Sequence, residues 1–230
     1  MHSHPRAWAV EPAGARPDAA VVAALGRFPT TQITDAAASV GVLDPGLRHV
    51  AGATECCGPA TTIWTAPGDL LFPLKAPELV DAGDVLVIDG AGRADGALLG
   101  EFVAAALVAA GCVGLVCDGA VRDVDGIATT GLPTFARHVY PATRTNAGPG
   151  AANVVVTCGG VLIGPGDVVR VDTSGIVVVP AAAAADVLAA TEAVAEKERG
   201  WERDVAAGGS LSAALDLDAK IAAGRAAAGG

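Results

Sequence analysis

Residues 100–123 read GEFVAAALVAAGCVGLVCDGAVRD, and this stretch decides the fold. Alanine, leucine and valine from about residue 99 to 110 predict a helix, and Gly111 supplies its stop. The apolar run 112–117 predicts a buried strand, and DVLVID at 84–89 predicts another upstream. Strand, helix and strand make a right-handed crossover when the two strands are parallel neighbours. The turns that follow the strands then share one edge of the sheet, and such sheets bind ligands outside the carboxyl ends of their strands. Residues 90–101 and 119–123 are therefore expected to face one pocket.

Outward from that unit, PDAAVVAALGRF at 17–28 has a helical period, with Pro17 and Asp18 at its start. A second short helix is expected over 31–40, a turn at DPG (44–46) and a strand at 58–65. A mixed segment interrupted by Pro73 and Pro77 then runs to residue 82. Further strands are expected near 133–138, 153–158, 161–163, 167–172 and 176–179. Gly159, Gly160 and the PGD at 165–167 separate three of them as in a meander. Helical patterning returns from Ala181 through Glu202, breaks at Gly208 and Gly209, and resumes over 210–223. The first fifteen residues predict a loose arm. No linker or repeat divides the rest, so residues 16–224 are expected to form one α/β domain with a C-terminal helical tail.

The 230 residues suffice for one domain with a sizeable core. Aromatic residues are only 3% of the chain, so packing rests on Ala, Val and Leu. A net charge of −10 with only three lysines argues against a nucleic-acid surface, which needs clustered cations. No apolar run reaches membrane-spanning length, and MHSHPRAWAVEP lacks the order of a signal peptide, so the expected location is the cytoplasm, with no membrane partner. Five cysteines, odd in number and without zinc-ligand spacing, read as reduced, buried thiols.

The chemistry is concentrated where the crossover ends. Glu101 is followed by 20 residues and then by the adjacent Arg122 and Asp123. Backbone amides of residues 100–103, at a helix N-terminus, attract carboxylate or phosphate without any side chain. Arg122 can grip a carboxylate or a ketone oxygen with parallel N–H bonds. Asp123 can hold a hard divalent cation, since Mg²⁺ keeps several waters and needs only one or two protein carboxylates. Glu101 could order a water or assist proton transfer. The plain alternative is a surface glutamate and an Arg–Asp pair closing a turn, and spacing alone leaves both readings open.

Other candidates are weaker. His2 and His4 could chelate a metal, but a chain terminus is a poor scaffold for it. His138 invites a general-base reading, since histidine as a residue type can act as one at neutral pH, yet a lone histidine after a short strand is more often structural. Lys75 could form a Schiff base if desolvated, but it lies between two prolines without a motif. GAGRADG at 90–96 departs from the dinucleotide-binding GxGxxG pattern and reads as a flexible rim over the pocket.

Across roughly residues 25–212 the chain resembles the family of class II 4-hydroxy-4-methyl-2-oxoglutarate aldolases, which also includes proteins named regulator of ribonuclease E activity A. The resemblance is carried by ITDAAASVGVLDPGLR (33–48), GDVLVIDGAGRADGALLGE (83–101), GLVCDGAVRDVDGI (114–127), LPTFARHVYPA (132–142) and CGGVLIGPGDVVRVDTSGIVVVP (158–180). The family's aldolase motif is an acid, twenty residues and Arg-Asp, and here it is complete as Glu101, Arg122 and Asp123. Regulators without aldolase activity typically lack the first acid.

The resemblance implies a layered α/β/β/α sandwich like the phosphohistidine swivelling domain, and a lyase that releases pyruvate from a small 2-oxo acid and decarboxylates oxaloacetate. It implies that amides of Gly100, Glu101, Phe102 and Val103 bind the substrate's C1 carboxylate, that Arg122 contacts the keto oxygen and that Asp123 ligates Mg²⁺ or Mn²⁺. It further implies a homotrimer or hexamer with sites between subunits, where Asp35 and Glu198 arrive from a neighbour. The alternative it carries is a non-catalytic protein that regulates ribonuclease E. Departures from the family pattern are Gly200 and Trp201, where helix formers are usual, and His138, where glycine is usual.

Overall fold

The computed structural model describes residues 4–228; His2 lies outside them. Asp18 caps α1 (Ala19–Leu25) by accepting from the Ala20 amide at 2.7 Å. The helix α2 (Thr30–Ala36) stops short of residue 40, because the chain turns extended at Ala37 and pairs as the edge strand β1 (Gly41–Val42). β2 (Arg48–Ala51), β3 (Cys56–Thr65) and the short α3 (Leu71–Lys75) follow.

The crossover predicted from sequence comes next, as β4 (Val85–Asp89), a short β5 (Ala97–Leu99), α4 (Glu101–Ala109) and β6 (Gly114–Val121). α5 (Val124–Thr130) and β7 (Thr134–Val139) continue it. The remaining strands are β8 (Gly150–Ala152), β9 (Val156–Cys158), β10 (Val161–Ile163), β11 (Val168–Asp172) and β12 (Gly175–Val179). The chain closes with α6 (Ala184–Ala206), α7 (Leu211–Ala214) and α8 (Leu217–Ala228).

One curled sheet runs in the order β1-β12-β11-β3-β4-β6-β7-β2, with β5 added to β6 and β8 to β3. β3, β4, β6 and β7 are parallel, and β4 meets β6 in register from Val85 opposite Gly114 to Asp89 opposite Asp118. Strand alternation builds the layers. On β4, Leu86 and Ile88 face a core under α3, α4 and α5, whereas Val85 and Val87 face inward. On β12, Ile176 and Val178 meet that same inner core, whereas Val177 and Val179 pack under α1, α2 and α6. Helices thus cover two sheet halves that pack on each other, an α/β/β/α sandwich. α6 buries Ala184, Val187, Thr191 and Ala195 along one stripe. Beyond Ala195 it buries nothing, and neither do α7 and α8, which form the helical tail.

Further sequence expectations change. β6 runs to Val121, four residues past the predicted end, because β5 pairs with its far end. The stretch 153–158 is broken by Asn153, whose φ of 53° ends β8 before β9 begins. The meander is absent, since β10 pairs only with β9, and β11 with β12 and β3. The arm is not loose over 4–11, where the Trp8 amide bonds the Gly150 carbonyl at 2.6 Å and the Glu11 amide that of Ala152 at 3.1 Å. Farther on, Arg16 clamps the fully buried Asp84 at 2.5 and 2.9 Å. Among the described residues no helix is long and apolar enough to cross a membrane.

Candidate active site

The carboxyl ends of β5 and β6 and the start of α4 meet at a cleft of about 70 Å³ lined by Leu70, Leu74, Leu99, Gly100, Phe102, Val103, Arg122 and Asp123. The Arg122 amide bonds the Leu99 carbonyl at 3.0 Å, which fixes the end of β6 against the strand leading into α4. The first i to i−4 bond of α4 runs from the Ala104 amide to the Gly100 carbonyl at 3.1 Å, and no side chain caps this terminus. The amides of Glu101, Phe102 and Val103 therefore precede the helix's own ladder and form an anion-attracting end.

Asp123 is the most constrained residue of the group. It occupies the N-cap of α5 in the left-handed region, with φ 53° and ψ 42°, yet its carboxylate caps nothing. Side chains pay about 1–3 kcal/mol for such a conformation. The carboxylate is turned instead toward Gly100 and Arg122, with Nε of Arg122 3.2 Å from Oδ2. Both side chains are about two-fifths exposed, at 37% and 40%. Glycine at position 100 is what admits Asp123. A Cβ there would collide with Oδ2 and lie 3.0 Å from Cγ of Arg122.

Glu101 stands at the first position of α4, but its carboxylate is absent from the cleft lining. It lies over the first turn of α5, where a Cβ on Gly126 would collide with Oε2 and come within 2.7 Å of its Cβ. Asp35 and Glu198 belong to the opposite outer layer. Asp35 is exposed on α2, and Glu198 on α6 accepts from Nε2 of Gln32 at 2.6 Å. Within one chain, therefore, the layers separate Asp35 and Glu198 from the cleft.

His138 is half-buried, with Nε2 3.2 Å from the Gly92 carbonyl. Lys75 is ion-paired with Glu78 at the surface rather than desolvated. Burial pushes the thiols of Cys56 and Cys57 up to about 12 and about 11, so neither is a nucleophile at neutral pH. Sequence reasoning missed the apolar wall of Leu70 and Leu74, and the seat that Gly126 provides for Glu101. No local motif announces either.

Among the described residues, no three His, Cys, Asp or Glu side chains are grouped to hold a metal ion. A cation at the cleft would have Asp123 as its carboxylate and water for the rest, a ligand set that Mg²⁺ accepts. The Asp123 carboxylate, two-fifths exposed and capping no helix, is open to such a cation and its waters.

The family model described as RraA-like, Aldolase/RraA, matches residues 30–178. The chain belongs to the RraA-like family. The match spans α2 through most of β12 and so contains every residue of the cleft. A Halalkalibacterium halodurans protein named "Putative 4-hydroxy-4-methyl-2-oxoglutarate aldolase" is 37% identical over 153 residues, 66% of this chain and 73% of its own length. An uncharacterized protein from Pseudomonas syringae pv. tomato superposes with a TM-score of 0.77 at 28% identity, covering 88% of this chain and all of that one. The RNA-processing inhibitor RraA from Thermus thermophilis superposes at 0.63 with 27% identity, over 66% of this chain and 93% of its own. The RraA-like family thus includes neighbours named for catalysis and for inhibition.

Proposed function

We propose that this RraA-like chain is a divalent-metal-dependent class II pyruvate aldolase. It cleaves 4-hydroxy-4-methyl-2-oxoglutarate, or a related 4-hydroxy-2-oxo acid, and decarboxylates oxaloacetate through the same pyruvate enolate. The observation that carries this reading is the convergence of uncapped α4 amides, Arg122 and an Asp123 carboxylate that caps nothing.

The amides of residues 100–103 hold the C1 carboxylate, which aligns the C3–C4 bond for cleavage. Arg122 donates to the C2 oxygen and is worth most as negative charge develops there. Asp123 would hold Mg²⁺ or Mn²⁺, which when bound supplies Lewis acidity at the C2 oxygen. As the C3–C4 bond breaks, its electron pair passes into the enolate, and the C4 hydroxyl gives up its proton to a water ordered by acidic side chains. Protonation of the enolate at C3 then gives pyruvate. Glu101 is the acid this chain contributes, and Asp35 and Glu198 are assigned to the cleft of a neighbouring subunit in a trimer or hexamer. Phe102, 79% exposed, and Leu74, 49% exposed, give the cleft an apolar rim suited to such a contact.

Decarboxylation breaks the same C3–C4 bond with loss of CO₂ and needs no base at C4. It should therefore survive Glu101→Ala better than the aldol cleavage does. The reading is tested by incubating the protein with either substrate and Mg²⁺ and following pyruvate with and without EDTA. EDTA-sensitive release is expected. Its absence for both substrates would leave the ribonuclease-regulator reading, which the likeness to the Thermus protein keeps in view.

A further inference from the structure

Two arginines near the cleft have no part in the steps above. In the loop between β4 and β5, Asp95 accepts from Arg93 at Nε (2.6 Å) and Nη2 (2.5 Å), and from Arg144 at Nη1 (2.7 Å). Two guanidinium groups share one carboxylate, which leaves a local positive charge on a chain whose net charge is −10. The Arg93 guanidinium, with Arg144 behind it, holds the Asp95 carboxyl down to about 2, so it stays ionised. Each guanidinium has five N–H donors. Nη1 of Arg93, and Nε and Nη2 of Arg144, remain unspent among the described residues. Both side chains are nearly half exposed, at 45% and 46%.

The pair is built into place. The stem of Arg144 crosses two glycines, and a Cβ on Gly96 would lie 2.8 Å from its Cγ, and one on Gly68 2.6 Å from its Cδ. Its segment is anchored by Asp69, which accepts from Oγ1 of Thr145 at 2.7 Å and from the Ala147 amide at 2.9 Å. Gly68 lies two residues before Leu70 of the cleft wall, and Gly96 immediately precedes β5, which ends at Leu99 just before Gly100. The arginines thus stand at one end of β5, with Arg122 and the α4 amides at the other. At about 3.3 Å per residue, Gly96 and Gly100 are at most roughly 13 Å apart. That span is of the order of a five-carbon dicarboxylate with a hydrogen bond of about 2.9 Å at each end.

We propose that Arg93 and Arg144 receive the distal carboxylate of a dicarboxylic 4-hydroxy-2-oxo acid and select it over monocarboxylic analogues, an assignment that rests on the lyase reading. Asp95 orients the pair, and the spare N–H groups make the parallel bonds that a guanidinium offers a carboxylate. Oxaloacetate is one carbon shorter, and its distal carboxylate must leave as CO₂. A firm hold on that group stabilises the ground state, so the receptor serves the longer acids.

The test is calorimetric titration of the Mg²⁺-loaded protein with 2-oxoglutarate and with 2-oxopentanoate. The two acids have the same length, and neither carries the C4 hydroxyl needed for cleavage. The wild type should bind the dicarboxylate ~10-fold more tightly. Arg93→Gln and Arg144→Gln should each erode that preference and leave 2-oxopentanoate binding unchanged. Arg144→Lys, which keeps the stem and charge but loses the planar fork, should fall between. Failure of the wild type to bind 2-oxoglutarate, equal binding of the two acids, or a preference that survives in all three variants would overturn the assignment. Because turnover is not involved, a preference that appears and vanishes as expected, in a protein that releases no pyruvate, would count against the lyase reading alone.

Discussion

Gly100 and Asp123 approach each other so closely that a single Cβ on Gly100 would collide with Oδ2 of the aspartate. The absence of one side chain is thus what lets a carboxylate sit at the N-terminus of α4. Gly100→Ala should fold, because φ at this position is an ordinary −148°. It should nevertheless lower pyruvate release by ~100-fold, the scale seen when a charge-stabilising group is displaced. Steady-state kinetics beside a thermal melt checks this, and an active alanine variant would show that Asp123 can work from another position.

Asp123 holds a left-handed conformation without capping α5, so its backbone strain serves something other than the helix. Asp123→Gly removes that strain and should leave the melting point equal or raised, by up to about 1 kcal/mol of stability. Activity should be lost in the same variant. A marked loss of stability would mean that the carboxylate is structural.

Gly126 is the seat of Glu101. Gly126→Ala would bring its Cβ within 2.7 Å of the Glu101 Cβ, which no rotamer relieves, so α4 and α5 must part. The variant should melt lower and, by displacing Glu101, reduce aldol cleavage more than oxaloacetate decarboxylation. Parallel assays of both reactions read this out. An equal fall in the two activities would contradict the division of labour assigned to Glu101.

The fold was legible where pattern and period agreed. DVLVID, the alanine-rich helix and the apolar run after Gly111 announced β4, α4 and β6, because a buried parallel pair leaves uninterrupted apolar stretches in sequence. β5 was not legible, since three residues joined to the end of β6 carry no period of their own. The docked arm was missed for a related reason: its bonds to Gly150 and Ala152 are made by backbone atoms and leave little sequence trace. In the cleft, Arg122 and Asp123 stood out as adjacent charges at a strand end. The seat at Gly126, the wall at Leu70 and Leu74, and the arginines on Asp95 depend on contacts between segments distant in sequence.

Asp69 ties the 66–70 loop to the segment that carries Arg144. Burial pushes its carboxyl up, but bonds from Thr145 and from the amides of Leu71 and Ala147 more than offset this, and the group lies below the usual carboxylate range. A carboxyl depressed in the folded state adds stability above its unfolded pKa, near ~3.9, and loses that stability as pH falls toward the folded value. Asp172 shifts in the same direction, with burial opposed by its bonds from Thr30 and the Ser174 amide. The melting temperature should therefore begin to drop below about pH 4 as these groups protonate. Asp69→Asn should lower stability at neutrality and flatten part of that acid slope. An unchanged slope would show that Asp69 does not contribute.

The most direct test of the central claim is pyruvate release from 4-hydroxy-4-methyl-2-oxoglutarate across a Mg²⁺ titration, for the wild type and Asp123→Asn. Asparagine tolerates the left-handed backbone, so the comparison isolates the carboxylate charge. The wild type should release pyruvate with saturating Mg²⁺ dependence, and the asparagine variant should be at least ~100-fold slower at every concentration while melting at a similar temperature. A wild type that releases no pyruvate, or an asparagine variant that matches it, would contradict the account.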